Sequence, residues 1–426
     1  MMTKASQTPD LKNFYRLPFE DGTFKLTEQT LNLHSEFRKP HFFYRTIIRN
    51  VHFRNEILTL GVKPGDEPEM LVFLKVTQHE LLVSCNVDTD PTYLSRYAYL
   101  GLLSLMDYRS SVSLRKFFWP GFFALRTGKS KFLEIYNDRQ GLDIFVKPRF
   151  PHFYRPGDEL IDWYKGSKNQ ELKLAAPPLP DEAPPSNPAI GYFIADVQLN
   201  SIHSNHYPFL VPFIGIPTKD KQRIKSYSSI WLSENDVPSI DITPIQQHLN
   251  AICFKMRELA PVESRQRWRY FSITAEEKEN ESKLMELWHE AKHLIQSQKY
   301  IYYYYTHGLN YLRGKPKRDW IHHYSIRDGR PQLVIKRIDK GEYYQFELKF
   351  RVNRKLYVPV KSDIAFFING TADPQSLYLL NQFTDYQLVW FFGQYGHKLA
   401  VLKCHYPGGF ENFVDRLAEH YELIAC

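Results

Sequence analysis

The sequence predicts an α+β protein of several modules, a β-rich N-terminal part followed by a C-terminal mixed sheet with flanking helices. Three observations carry that expectation. Up to about Lys173, short apolar runs alternate with Gly, Pro and Asn breaks, which is the rhythm of strands and turns. The interval 174–189 opens LAAPPLPDEAPPSN, with prolines and no apolar period, and reads as an extended linker. From 190 to 426, helix-period and strand-period patterns mix. The expected modules are therefore 1–173 and 190–426, joined by 174–189.

In chain order, Thr23–Leu33, Phe42–Ile48 and Asn55–Val62 read as strands. Pro64–Pro68 then breaks the chain before a strand–strand–helix module at 70–106. Leu71–Val76 and Glu80–Ser84 are nearly continuous apolar strands, and Tyr99, Leu102, Leu103 and Met106 recur at helical spacing behind Ser95, an acceptable cap. Phe122–Leu125, Phe132–Tyr136 and Leu142–Val146 are further strands. Past the linker, Ile190–Leu199 and Phe209–Ile216 are strand-like, and Lys219–Lys225 is a basic loop. Ile245–Met256 predicts a helix with Cys253 on its buried face. Glu276–Tyr300 predicts the longest helix, with Leu284, Leu287, Trp288, Ala291, Leu294 and Ile295 in one stripe. Gln345–Val352 alternates cleanly, and Asn353–Arg354 turns it into Leu356–Val360. Asp363–Asn369 and Lys398–Lys403 are strands, Asp373–Pro374 opens a short helix through Leu380, and Phe410 to Tyr421 forms a final helix.

Composition narrows the class. With 426 residues, 43% hydrophobic and 24% charged, the chain is long enough for two or three globular domains. A formal charge of +8 suits either a polyanionic partner or an ordinary basic surface. The cysteines, Cys85, Cys253, Cys404 and Cys426, are far apart and form no CxxC pair. That excludes a cysteine-rich zinc site and argues against a disulfide framework, so a reducing, cytoplasmic setting is expected. No signal-peptide core, prenylation box or membrane-length apolar run of about 20 residues is present.

The sharpest motif is His289-Glu290-Ala291-Lys292-His293. On a helix the two histidines lie one turn apart and suit Zn²⁺, with Glu290 as base of a zinc-dependent hydrolase. The helical wheel instead sets both histidines opposite the apolar stripe, on a solvated face, with no third ligand in a supporting motif. Gly128-Lys129-Ser130 looks like the end of a phosphate loop, but Phe123 stands where that loop needs its first glycine, so nucleotide binding by a P-loop is rejected. Neither a motor motif nor a GxSxG is found, no cofactor is expected, and the chain reads as non-enzymatic. Cys404 and His405 are adjacent along an expected strand and so point to opposite faces. The best binding patch mixes Tyr302–Tyr305 with Arg313, Lys315, Lys317, Arg318, Arg327, Arg330, Lys336 and Arg337, cations for phosphates and rings for base stacking. The alternative is a sheet edge with solvated Lys and Arg.

Leu81–Asp107 resembles a SWIM-type zinc finger, whose pattern is CxC, a short spacer, then CxH opening a helix. Cys85 sits on the first cysteine, while Val87, Ser95 and Tyr97 stand at the other three ligand positions. One thiolate cannot hold zinc, so the shape would rest on packing of Val83, Val87, Leu94, Leu100 and Leu103. Similar regions precede the motor of Swi/Snf-type helicases from Bacteroidetes. Residues 191–194, 208–213, 218–221, 350–368 and 377–381 look like the same family. The resemblance implies a DNA-associated accessory chain that docks a separately encoded Swi/Snf-type ATPase. A structural protein-interaction module is the remaining alternative.

Overall fold

The architecture is α+β, as the sequence predicts. The structure is a computed structural model and describes residues 11–20, 22–38, 46–87, 90–107, 109–138, 141–161, 188–197, 208–259, 275–306, 312, 316, 318–358, 364–369 and 376–426. The chain divides into two compact units. One comprises Met1–Leu160, Ile338–Gln345 and Leu399–Leu417, and the other Ile161–Arg337, Phe346–Lys398 and Ala418–Cys426. Most of the proline-rich interval lies outside the described residues, and Ala189 already begins a strand.

The first unit opens with β1 (Tyr15–Pro18), β2 (Lys25–Thr27) and the short helix α1 (Glu28–Leu33). The expected strand over Thr23–Leu33 thus becomes three strand residues and a helix. Thr27 causes the change, its hydroxyl accepting from Thr30 N at 3.1 Å as an N-cap. Then come β3 (Thr46–Arg54), β4 (Ile57–Pro64), β5 (Met70–Val76), β6 (Glu80–Cys85), α2 (Arg96–Met106) and β7 (Ser111–Ser113). They are followed by the hairpin β8 (Leu133–Asp138) with β9 (Gly141–Val146), and by β10 (His152–Tyr154). An antiparallel sheet runs β1-β6-β5-β4-β3, and β2 pairs with β7. One side of α2, with Tyr99, Leu102, Leu103 and Met106, packs on the sheet and buries Leu60, Val62, Val72, Leu74 and Val83. Phe122–Leu125 is not a strand but a turn around Gly121, at φ +73°. A second aromatic cluster joins Phe132 and Phe153 to Tyr343, at ring separations of 5.9 and 5.2 Å.

The second unit begins with β11 (Ala189–Val197), β12 (Phe209–Pro217), β13 (Ile224–Ile230), α3 (Pro244–Leu259) and α4 (Ala275–Gln296). Next are β14 (Ile301–Thr306), β15 (Ile321–His323), β16 (Ser325–Ile326), β17 (Gln332–Asp339) and β18 (Tyr343–Val352). β19 (Lys355–Tyr357), β20 (Phe367–Asn369), β21 (Ser376–Leu379) and α5 (Phe383–Gly393) complete the run. β22 (Lys398–Leu402) and most of α6 (Glu411–His420) return to the first unit, and β23 (Glu422–Ala425) belongs to the second.

One mixed sheet runs β13-β12-β11-β14-β15, with β11 and β14 parallel. Gly191 sits at its centre, where an added Cβ would come within 2.4 Å of the Phe213 ring, so only glycine lets that ring stack on Phe193. α3 packs on β12, and α4 packs on α3 through the expected stripe; Leu284, Trp288, Ala291 and Ile295 are buried. The Gln345–Val352 alternation holds, and Asn353 and Arg354 both have positive φ, the pair a tight hairpin needs.

Two expectations fail here. The helix expected through Leu380 is instead β21, the central strand of a three-stranded sheet β16-β21-β20, and the cap pair Asp373–Pro374 lies outside the described residues. Ladder bonds on both sides and burial of Ser376, Leu377 and Leu379 override the local cap signal. The strand expected at Asp363–Asn369 shrinks to Phe367–Asn369, behind a turn with Phe366 at φ +69°. Among the described residues no helix is long and apolar enough to cross a membrane.

Candidate nucleic-acid interface

The eight cations expected to form one patch do not stay together. Arg313, Lys315 and Lys317 lie outside the described residues. Lys336 and Arg337 are consecutive on β17, opposite Ile424 and Ala425 of β23, so their side chains take opposite faces. Arg327 is exposed, its Nε donating to Ser376 Oγ at 2.9 Å, and Arg330 is exposed near α4. Three of the four tyrosines are not free to stack on bases, and Tyr305 is half-buried. Tyr302, Tyr303 and Tyr304 are buried in the β14 core, Tyr302 against Phe213 and Tyr227.

Arg318 joins a separate group of exposed cations. Its guanidinium donates to the Lys225 carbonyl, which draws it to the turn between β12 and β13. That turn carries Lys219, Lys221, Arg223 and Lys225, all exposed. Its backbone is built tightly. Thr218 N donates to Arg223 O at 2.8 Å, Arg223 N to Thr218 Oγ1 at 3.2 Å, and Lys221 takes a positive φ of 55°. Tyr300 Oη donates to Lys221 O at 2.8 Å, and Ile224 N donates to Tyr302 Oη at 3.0 Å, so the buried tyrosines fix the turn from below. The one acid in the turn, Asp220, is tied to Thr218 and to Gln222 N, and these bonds hold its carboxyl below the usual range. None of the five cations forms an ion pair among the described residues, which leaves their charges facing solvent. The sequence signal was the density of cations in the loop itself; only the fold brings Arg318 to it.

The HExxH segment separates in space. Glu290 faces outward and meets His248 at 3.4 Å. His289 does not lie on a solvated face, as the helical wheel suggested. α4 is covered on one side by α3 and on another by β16 and α5, and His289 falls under that second cover, beside the backbone of Leu380 and Asn381. Loss of water, with the charges of Lys292 and Arg330, pushes its pKa down to about 4. Lys292 is buried as well, its Nζ donating to Gly329 O at 3.1 Å with Asp328 at 4.0 Å, and burial lowers its pKa. Two neighbouring cations oppose a divalent metal at His289. Among the described residues no three His, Cys, Asp or Glu side chains converge, so His293 and Glu290 have no third ligand there.

The finger positions are scattered in role. Cys85 ends β6, fully buried. Ser95 caps α2, its hydroxyl accepting from Ala98 N at 3.2 Å. Tyr97 donates to Glu67 at 3.1 Å. Val83, Leu94, Leu100 and Leu103 are buried as expected, but Val87 is 58% exposed, because β6 stops at Cys85 and Asn86 turns the chain by bonding Leu71 through N and Oδ1. The strand–strand–helix order is present, yet β5 and β6 lie inside a five-stranded sheet, and α2 packs mainly on β3 and β4.

Cys404 and His405 also depart from expectation. β22 stops at Leu402, and a 3₁₀ turn brings both side chains to Gly121, where a Cβ would stand 3.1 Å from Cys404 Sγ and 3.4 Å from His405 Nε2. Burial raises the thiol pKa and lowers that of the imidazole, so neither group is charged near neutrality, the opposite of an activated thiolate pair. Comparisons with protein-family models, curated proteins and solved structures returned no match.

Proposed function

We propose that this protein is a non-enzymatic, nucleic-acid-associated accessory chain, held to the phosphate backbone by the turn between β12 and β13. One observation carries the reading: five exposed cations, Lys219, Lys221, Arg223, Lys225 and Arg318, stand together with no ion pair among the described residues. Such a cluster releases counterions from DNA and gives affinity that falls with salt but does not read sequence. Docking of a separately encoded Swi/Snf-type ATPase rests on the resemblance of Leu81–Asp107 and belongs to the same proposal. The hydrolase reading finds no support in a His289 set between two cations.

Duplex DNA titrated in gel-shift assays at several salt concentrations tests this. The wild-type chain is expected to lose affinity linearly in log salt. Changing Lys221, Arg223 and Lys225 to Ala is expected to weaken binding by at least about tenfold and to reduce the slope by about 2 to 3, near 0.9 per lost phosphate contact. Undiminished binding by that variant removes this turn as the contact.

A further inference from the structure

The hairpin of β8 and β9, in the first unit, carries two large rings on its outer face. Tyr136 and Phe145 are 53% and 54% exposed, and their ring centres stand 6.2 Å apart. We propose that this face and the open edge of β9 dock an extended protein segment with arginine at every second position, added as a third strand. The inference is independent of the nucleic-acid reading, which rests on the other unit.

Pairing fixes which side chains share the face. Glu134 lies opposite Phe145, Tyr136 lies opposite Asp143, and Asp138 follows toward the hairpin turn. Strand alternation puts these five on one side, and turns Leu133, Ile135, Leu142, Ile144 and Val146 to the other, where they pack on the core. Exposed rings standing singly are ordinary. Two in contact on one strand pair make a contiguous patch, the kind of surface that a partner covers.

Charge names the partner. Asp143 is exposed, and Glu134 accepts from Tyr136 Oη. Neither forms an ion pair among the described residues. Asp138 accepts from Gly141 N at 3.1 Å. Lys147, next after Phe145 on this side, spends its Nζ on the carbonyls of Ser130 and Lys131, at 3.3 and 3.1 Å. In a chain of formal charge +8, the described part of this face is acidic. A guanidinium meets both halves of the patch, because it pairs with a carboxylate and also stacks flat on a ring.

The edge of β9 sets the spacing. Lys147 N donates to Phe132 O, and the antiparallel rhythm makes Glu134–Phe145 and Tyr136–Asp143 the next bonded pairs. The N–H and C=O groups of Leu142, Ile144 and Val146 therefore point away from β8, and among the described residues no strand pairs with β9 there. The corresponding edge of β8 is already engaged. Leu133 N donates to Ser130 Oγ at 3.1 Å, and Asn137 Nδ2 donates to the carbonyls of Asn50 and Val51 at 2.9 and 3.0 Å. A segment added to β9 runs about 4.8 Å from it, so every second side chain falls beside Asp143 and Phe145. The side chains between them meet the half-buried Ile144 and Val146.

Fluorescence anisotropy of the full chain with a short labelled peptide that alternates arginine with threonine tests the site. It is expected to bind at least about threefold more tightly than a peptide of the same composition with its arginines in one block, and a glutamate counterpart is expected not to bind. Asp143→Lys is expected to weaken the alternating peptide by about tenfold, and Tyr136→Ser combined with Phe145→Ser by at least about fivefold. Asp66→Lys, an exposed acid in the turn between β4 and β5, changes it by less than about twofold. The proposal is overturned if the alternating peptide does not bind at millimolar concentration, if the two arginine peptides bind alike, if loss of both rings leaves affinity unchanged, or if Asp143→Lys and Asp66→Lys behave alike.

Discussion

Asp385 is the least expected charge in the molecule, 3% exposed in the first turn of α5. It accepts from Tyr421 Oη at 3.0 Å, Gln382 Nε2 at 3.2 Å and Asn381 N at 3.2 Å. Burial outweighs these bonds and pushes its pKa up to about 6. The folded state therefore holds a proton that the unfolded state releases near the ordinary value of 3.8, so this group favours folding at low pH and loses that contribution as pH rises from about 4 through about 6. The full swing is about 3 kcal/mol. His289 works in the other direction. Its depressed pKa gives stability above the ordinary 6.5 that is lost as pH falls toward about 4. The two trends overlap, so Asp385 must be isolated by comparison. Relative to Asp385→Asn, the wild-type chain is expected to gain stability in urea between pH 7 and pH 4; parallel pH profiles for the two chains would rule the titration out. Neither side chain was legible from the sequence. The sequence showed no helix around Asp385, and a histidine opposite an apolar stripe reads as solvated; only the packing of α4 and α5 decides otherwise.

The elements that stand as predicted carry redundant local signals. α2 has an apolar face at helical spacing and a serine at its start, and both are used: Tyr99, Leu102 and Leu103 face the sheet and Ser95 caps. Ser95→Ala is expected to cost about 1 kcal/mol, and Ser95→Asp to restore most of it, read as shifts in urea midpoint. Equal losses in both variants would mean that the hydroxyl acts through burial and not as a cap. The β18 hairpin is legible for a similar reason, since clean alternation and a two-residue Asn-Arg turn agree. Where signals were single, context won. Ser376–Leu379, expected to be helical, form a strand, and α5 went unseen because its residues are apolar on nearly every face and show no period. The candidate interface divides in the same way: the cations of the Lys219–Lys225 loop were visible, whereas the spread of Arg327, Arg330, Lys336 and Arg337 depends on pairings that sequence distance does not encode.

At the scale of the molecule, composition and pattern gave the fold class, and no local feature told which late segments join the first unit. Tyr343, Ala400 and Leu402 are buried in its core, more than half the chain away from Phe132 and Phe153 in the case of Ala400. A fragment ending at Lys173, the boundary that the prolines suggest, lacks all three. It gives up burial worth about 1.5 to 3 kcal/mol for a large side chain, on the order of a domain's whole stability when summed with the lost strand β22. Such a fragment is expected to bind anilinonaphthalene sulfonate and to unfold without a cooperative transition. Sharp, dispersed amide resonances from it would contradict that.

The interleaving of the two units also sets an order of events at the ribosome. Met1–Leu160 are made first, but Leu399–Leu417 follow only after most of the second unit has been synthesised. At about 5 to 20 residues per second, the unfinished unit waits on the order of ten to fifty seconds with its aromatic cluster uncovered. A nascent chain in that condition is a client for holding chaperones, and slowing translation would lengthen its exposure without giving it anything to fold against.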